Sequence, residues 1–178
     1  LAKYSRYSIK VFYTLGTNSN SFIDNGFGRQ ENWNIDLLSG YNYEFLENTS
    51  SRPSSSTYWG IKNPVLIDKI LSYQPDVLIV YGWKHHSHLS VLNYFHNKIP
   101  ILFRGDSTTL DDSSAFFIRS FFRYIFLQWI YRKVDYVLSP GKASDKYFLK
   151  SGLRTNQIIR AEHAIDNERF MSMSKKEE

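Results

Sequence analysis

Short runs of β-branched and aromatic residues alternate along the chain with segments whose apolar residues recur at helical spacing. That alternation is the pattern of parallel β-α-β units. Ile9-Lys10-Val11-Phe12-Tyr13 reads as the first strand, and a long polar loop dotted with aromatics is predicted from Thr14 to Asn34. Tyr43-Glu44-Phe45-Leu46 is a short second strand, and the Ser-rich run from Asn48 to Thr57 reads as a mobile loop. Asn63-Pro64 supplies a cap and a first-turn proline for a helix through Val65, Leu66, Ile67, Ile70 and Leu71, which Pro75 stops. Asp76 to Tyr81 is an unbroken apolar run of the kind buried on both faces of a sheet. A helix over Leu89 to His96 then leads to a buried strand from Ile99 to Phe103. An aromatic helix follows within Phe116 to Lys133, then a strand at Val134 to Leu138. The helix from Ala143 to Lys150 ends at Gly152, and Ile158 to Ala161 is the last strand. The fold class implied is α/β: a Rossmann-like, mostly parallel sheet with helices on both faces.

Composition changes this picture at three points. Aromatics make up 17% of the 178 residues, and many lie in polar stretches where a core cannot use them. Aromatic faces in loops suit sugar stacking or protein contact. The net charge of +5 raises the question of nucleic acid, but the cations are dispersed, with Arg132-Lys133 and Lys175-Lys176 as the adjacent pairs. Phosphate-backbone binding needs clustered cations, so nucleic acid is not the expected partner. Cysteine is absent, which excludes a disulfide framework and thiolate metal sites and agrees with a cytoplasmic setting. The first residues show neither the charged nor the apolar region of a signal peptide. Phe116 to Tyr131 is too short, and too interrupted by Arg119, Arg123 and Gln128, to span a bilayer.

In parallel sheets ligands bind at the carboxyl ends of the strands. Two polar segments fall there: Gly82-Trp83-Lys84-His85-His86-Ser87-His88 and Arg104-Gly105-Asp106-Ser107-Thr108. Neighbouring strands are expected to bring both to one rim. The histidines suggest a metal, yet no Asp, Glu or Cys within the segment completes a ligand set. The alternatives are a helix-capping polar loop, or contact with a hydroxyl-rich ligand for which Trp83 offers a stacking face and His85 a donor or acceptor. Arg104-Gly105-Asp106 spells an adhesion tripeptide, but it continues a buried strand where adhesion needs a flexible tip. Asp106 either takes a proton from an attacking hydroxyl or caps the following turn. Dinucleotide-binding, P-loop and nucleophile-elbow motifs are absent from the sequence.

Asp24-Asn25-Gly26-Phe27-Gly28-Arg29 with Trp33 and Leu37-Leu38 behind it, Gly82-Trp83, Arg104-Gly105-Asp106-Ser107, Arg132-Lys133-Val134-Asp135 and Ala164-Ile165-Asp166-Asn167-Glu168-Arg169-Phe170 together resemble one family. The chain is similar to the N-terminal domain of family 4 glycosyltransferases (glycosyl transferases group 1) of the GT-B architecture. The resemblance implies a retaining transfer of a sugar from a nucleotide-sugar donor to a glycan or lipid-linked acceptor, as in polysaccharide biosynthesis. It implies no metal and no bound cofactor, with the donor held by a separate C-terminal domain. Residues 1–170 then form the acceptor domain and 171–178 a polar tail or linker. On the same basis the acceptor is bound by Gly26, Phe27, Gly28, Arg29, Trp83, Lys84, His85, Arg104 and Ser107. Asp106 stands where many members carry a catalytic His, and acceptor positioning falls to it. The family's first strand belongs before Leu1, so Ile9–Tyr13 and Val77–Tyr81 are expected to flank its place without pairing with each other. Taken alone, the chain is expected to transfer no sugar and to bind nucleotide-sugar weakly. The other reading is a non-catalytic glycan- or protein-binding module of the same fold. A location at the inner face of a membrane, in peripheral contact with lipid, suits a lipid-linked acceptor. The aromatic helix is nonetheless expected to lie buried against the sheet and the second domain.

Overall fold

The computed structural model describes residues 7–16, 22–24, 29–31, 38–108 and 117–163. Two compact units divide the chain, Leu1–Ile101 and Leu102–Glu178. The architecture is α/β with predominantly parallel strands, in agreement with the fold class read from the sequence.

In the first unit, β1 (Lys10–Tyr13) pairs in parallel with β4 (Asn42–Phe45), Tyr13 standing opposite Phe45. Their rings stack at 4.9 Å, and Lys10 and Glu44 form an ion pair at 2.7 Å. Between these strands β2 (Phe22–Asp24) and β3 (Arg29–Glu31) form an antiparallel hairpin, so the segment expected to be an irregular loop carries its own pairing. The helix α1 (Leu66–Tyr73) turns Leu66 and Ile70 inward and ends at Gln74 in the left-handed region (φ 52°), directly before Pro75. β5 (Leu78–Tyr81) and α2 (His86–Phe95) complete this unit.

Three expectations need correction here. The run from Asn48 to Thr57 is tethered: Thr49 N–H donates to the Lys62 carbonyl at 2.8 Å and Ser54 N–H to that of Gly60 at 3.0 Å. Asn48 uses both ends of its amide, accepting from Lys62 N–H and donating to the Gly60 carbonyl. Gly60 is required there, because a Cβ would lie 2.1 Å from the Ser54 carbonyl oxygen. Asn63 does not cap α1 with its side chain, which is engaged elsewhere. β5 is packed on one face only: Leu78 and Val80 are buried, whereas Ile79 is 48% and Tyr81 69% exposed. An unbroken apolar run therefore did not mean burial on both faces.

β1 and β5 belong to separate sheets and do not pair with each other. β6 (Ile101–Arg104) follows in the chain and carries it from the first unit into the second. Within the second unit, β6, β7 (Tyr136–Ser139) and β8 (Ile158–Arg160) run parallel, with Arg104 opposite Leu138 and Ser139 opposite Arg160. The helices α3 (Phe117–Tyr131) and α4 (Lys142–Lys150) connect them. Phe103, Tyr131 and Phe148 meet edge to face, with centroids 5.6 to 6.4 Å apart, and form the centre of this core. Gly152 closes α4 with φ 97°, as its position after Lys150 leads one to expect.

Candidate functional site

The carboxyl ends of β1, β4 and β5 converge on one polar cluster in the first unit. Asn63 ties the first two together: its side-chain NH2 donates to the carbonyls of Thr14 at 2.9 Å and Glu47 at 2.8 Å. Its backbone N–H donates to Ser87 Oγ at 2.7 Å, and Ser87 in turn donates to the Ile61 carbonyl. Both side chains are buried, at 6% and 3% exposure. Such burial is tolerable only because these bonds are made.

Three histidines stand at the start of α2. The sequence pattern placed the helix start at Leu89, but the first turn already forms at His86, and His85 is the N-cap residue with extended backbone. Leu89, Leu92 and Phe95 hold the helix down from below. His85 Nδ1–H donates to the Thr57 carbonyl at 3.1 Å, which makes Nε2 the lone-pair nitrogen of the neutral ring. His88 Nε2 shares a hydrogen bond with the Thr14 hydroxyl at 3.0 Å, and the two rings meet edge to face at 5.3 Å.

Burial lowers the pKa of His85; the Thr57 carbonyl opposes this and the charge of Lys84 reinforces it. Burial also lowers that of His88, reinforced by His85 and opposed by the nearby carbonyls of Tyr81 and Gly82. His88 Nδ1 is buried without a hydrogen-bond partner. Both rings are thus held toward the neutral form, which can accept a proton or a hydroxyl hydrogen bond.

Beside them lies an aromatic platform that pattern alone did not single out. Trp59 stacks on His86 at 5.0 Å with a 25° interplanar angle, and Tyr58 meets both rings edge-on. Trp59 is 61% exposed, so its outer face is open. Asn63 Oδ1 and His86 Nδ1, like His88 Nδ1, are buried polar atoms with no partner. The arrangement offers stacking area and a neutral imidazole in one place, with three unmet polar atoms buried nearby. The signal in the sequence was the pair Tyr58-Trp59 after a Ser-rich run, but nothing local connects it to histidines beyond residue 84.

Among the residues singled out from the sequence, His85 lies in this cluster, with half-buried Trp83 and exposed Lys84 immediately before it. Gly26, Phe27 and Gly28 lie outside the described residues, and Arg29 is placed only as the start of β3. Residues 164–170, which carry the domain-exit resemblance, also lie outside them.

Arg104, Asp106 and Ser107 belong to the second unit. Arg104 turns its guanidinium across the ends of the neighbouring strands, donating to the carbonyls of Leu138 and Ala161 and reaching His163 Nδ1 at 3.4 Å. It is therefore not the partner of Asp106, which is exposed, while Ser107 is half-buried. Gly105 is accounted for by packing beneath it, since a Cβ there would meet the buried Phe103 ring at 2.8 Å. Close ligand approach is not needed to explain it. The described residues hold no group of three or more His, Cys, Asp or Glu arranged for a metal ion.

A cavity of about 440 Å³ lies elsewhere in the first unit, lined by Lys10, Glu44, Val65, Asp68, Lys69, Ser72 and Tyr73. Glu44 bridges Lys10 and Lys69 at 2.7 Å each, and those bonds hold its carboxyl below the usual range. Its cations are thereby used, and it stands away from the strand carboxyl ends. No protein-family model matches the chain, and none of the curated proteins matches it.

Proposed function

We propose that this chain is the acceptor-binding half of a retaining glycosyltransferase of the group it resembles, acting on a glycan or lipid-linked acceptor with a nucleotide-sugar as donor. What supports the reading is the neutral, tautomer-fixed His85 next to the open Trp59 face, in the cluster where the carboxyl ends of β1, β4 and β5 meet. A sugar presents apolar C–H faces to an indole and hydroxyls to lone pairs. Stacking on Trp59 would orient the acceptor, and His85 Nε2 would accept a hydrogen bond from its attacking hydroxyl. Asp106, in the second unit, keeps the acceptor-positioning role that the resemblance implies.

Titration of the chain with oligosaccharides, followed by tryptophan fluorescence, tests the binding half of this reading. A saturable change that is lost in Trp59→Ala is expected, with nucleotide-sugar binding too weakly to saturate. Low-micromolar calorimetric affinity for a nucleotide-sugar in this chain alone would overturn it. In a chain that also carries the donor domain, Asp106→Asn should lower turnover about a hundredfold while the fold persists. Glycan binding without any turnover by such a chain would favour the non-catalytic module.

A further inference from the structure

Both halves of the candidate site in the first unit depend on one loop. Residues 48–62 leave and rejoin the body of the unit at nearly the same place: the N–H and the hydroxyl of Thr49 both donate to the Lys62 carbonyl, at 2.8 and 3.1 Å. A surface loop with its ends tied in this way is an Ω-loop, packed by its own groups. Thr57, Tyr58 and Trp59 lie in it shortly before it closes. The loop therefore carries both the carbonyl that His85 Nδ1–H meets at 3.1 Å and the indole that stacks on His86 at 5.0 Å.

Asn48 is the clasp of this loop. Its side-chain Oδ1 accepts from Lys62 N–H at 3.0 Å and from Ser50 N–H at 3.1 Å, and its NH2 donates to the Gly60 carbonyl at 2.9 Å. Two routes lead on from there. Gly60, held at its carbonyl, donates its own N–H to the Thr57 carbonyl at 3.2 Å, the same oxygen that receives His85. Ser50, held at its N–H, donates its hydroxyl to the Trp59 carbonyl at 2.7 Å.

A neutral imidazole has two tautomers, and the hydrogen bond at one nitrogen selects between them. Without the Thr57 carbonyl, the proton of His85 is free to sit on Nε2. The ring then presents a donor where a hydroxyl donor needs an acceptor. Fixing the tautomer and the indole beforehand also removes an ordering cost from binding.

We propose that Asn48 is a positioning residue for this site. Through Gly60 and Thr57 it holds His85 in the tautomer that leaves Nε2 unprotonated, and through Ser50 it holds the Trp59 segment in place. That the ligand so received is a sugar rests on the glycosyltransferase reading; the control of the tautomer does not.

Histidine labelled with nitrogen-15 in the full chain tests this, read by long-range nitrogen–proton correlation at about pH 8, where the ring is neutral. His85 of the wild type is expected to show a protonated Nδ1 and an unprotonated Nε2. Asn48→Ala should lose that pattern while the amide resonances of α2 stay in place. Asn48→Asp keeps both acceptor bonds but gives up the donor to Gly60, so it should lose the pattern too. Ser50→Ala spares the Gly60 route and should leave it intact. Oligosaccharide affinity, followed by tryptophan fluorescence, should fall at least about tenfold in Asn48→Ala and less in Ser50→Ala. A protonated Nδ1 retained by His85 in either Asn48 variant would overturn the proposal. Unfolding of both variants would overturn it as well, since Asn48 would then support the whole unit and not the loop. Should the wild-type chain bind no oligosaccharide, the sugar-transfer reading fails, and the histidine pattern still decides the role of Asn48.

Discussion

The polar groups beyond β5 and those beyond β7 and β8 both follow strand ends and both lie where a helix opens, yet they close differently. At the start of α4, Ser139 Oγ donates to Asp145 at 2.5 Å, and Asp145 receives Arg160 through its other oxygen at 2.5 Å. Arg104 covers the carbonyls of Leu138 and Ala161. Each of these groups finishes on another protein group. At the start of α2 the network also holds the strands together, but Asn63 Oδ1, His86 Nδ1 and His88 Nδ1 are buried and unused. An unmet buried hydrogen-bonding atom costs about 1–3 kcal/mol. Such a cost persists where something else supplies the partner, commonly water or a ligand. The first cluster thus carries three unmet polar atoms, whereas in the second unit the one such atom among the described residues is Tyr147 Oη, away from the Ser139, Asp145 and Arg104 bonds that hold its sheet.

The contrast breaks most directly through stability. Phe148 is fully buried against Phe103, Tyr131 and Tyr147. Phe148→Ala should cost about 3–5 kcal/mol in urea denaturation, whereas exposed Trp59→Ala should cost less than about 1 kcal/mol. Comparable losses would mean that the aromatic platform of the first unit is packing too.

Asn63 separates the two uses of one side chain. Asn63→Ala removes the donor from the carbonyls of Thr14 and Glu47, so about 1–3 kcal/mol of stability should be lost. A neutral result by the same denaturation would show that this amide does not join the strand ends.

The smallest effect is pH dependence. His85 and His88 are both held below the ordinary value of 6.5, so the unfolded chain takes up more protons in mildly acidic solution. Their contribution to stability is complete above about pH 6.5 and is lost as the pH falls through the depressed native values. The urea midpoint should therefore decline from neutral to mildly acidic pH, and His88→Gln should flatten that decline. A midpoint that rises on acidification would reverse the assignment of the two rings as neutral.

Several elements were legible because their signals are local. Pro75, Gly152 and the alternating apolar runs placed α1, α4, β1 and β8 within a few residues of where they lie. The hairpin of β2 and β3 was missed because three-residue strands in a polar stretch carry almost no pattern. The early start of α2 was missed because His86 and His88 are indifferent helix formers, and the turn they form is held by Leu89 and Phe95 packing beneath it.

What the sequence by itself determined is the order of the longer strands and helices, the α/β class and the placing of polar residues at the carboxyl ends of strands. Periodicity, proline and glycine act over a few residues, and those features follow from them. Only the tertiary structure decided which of those polar residues form a site. The partners that set the His85 tautomer, satisfy Asn63 and engage His88 lie 28, 49 and 74 residues away along the chain. It also decided which edge of α3 is buried: Leu127, Ile130 and Tyr131 pack inward, Tyr131 against Phe103 and Phe148, while Phe121, Phe122 and Trp129 stand exposed.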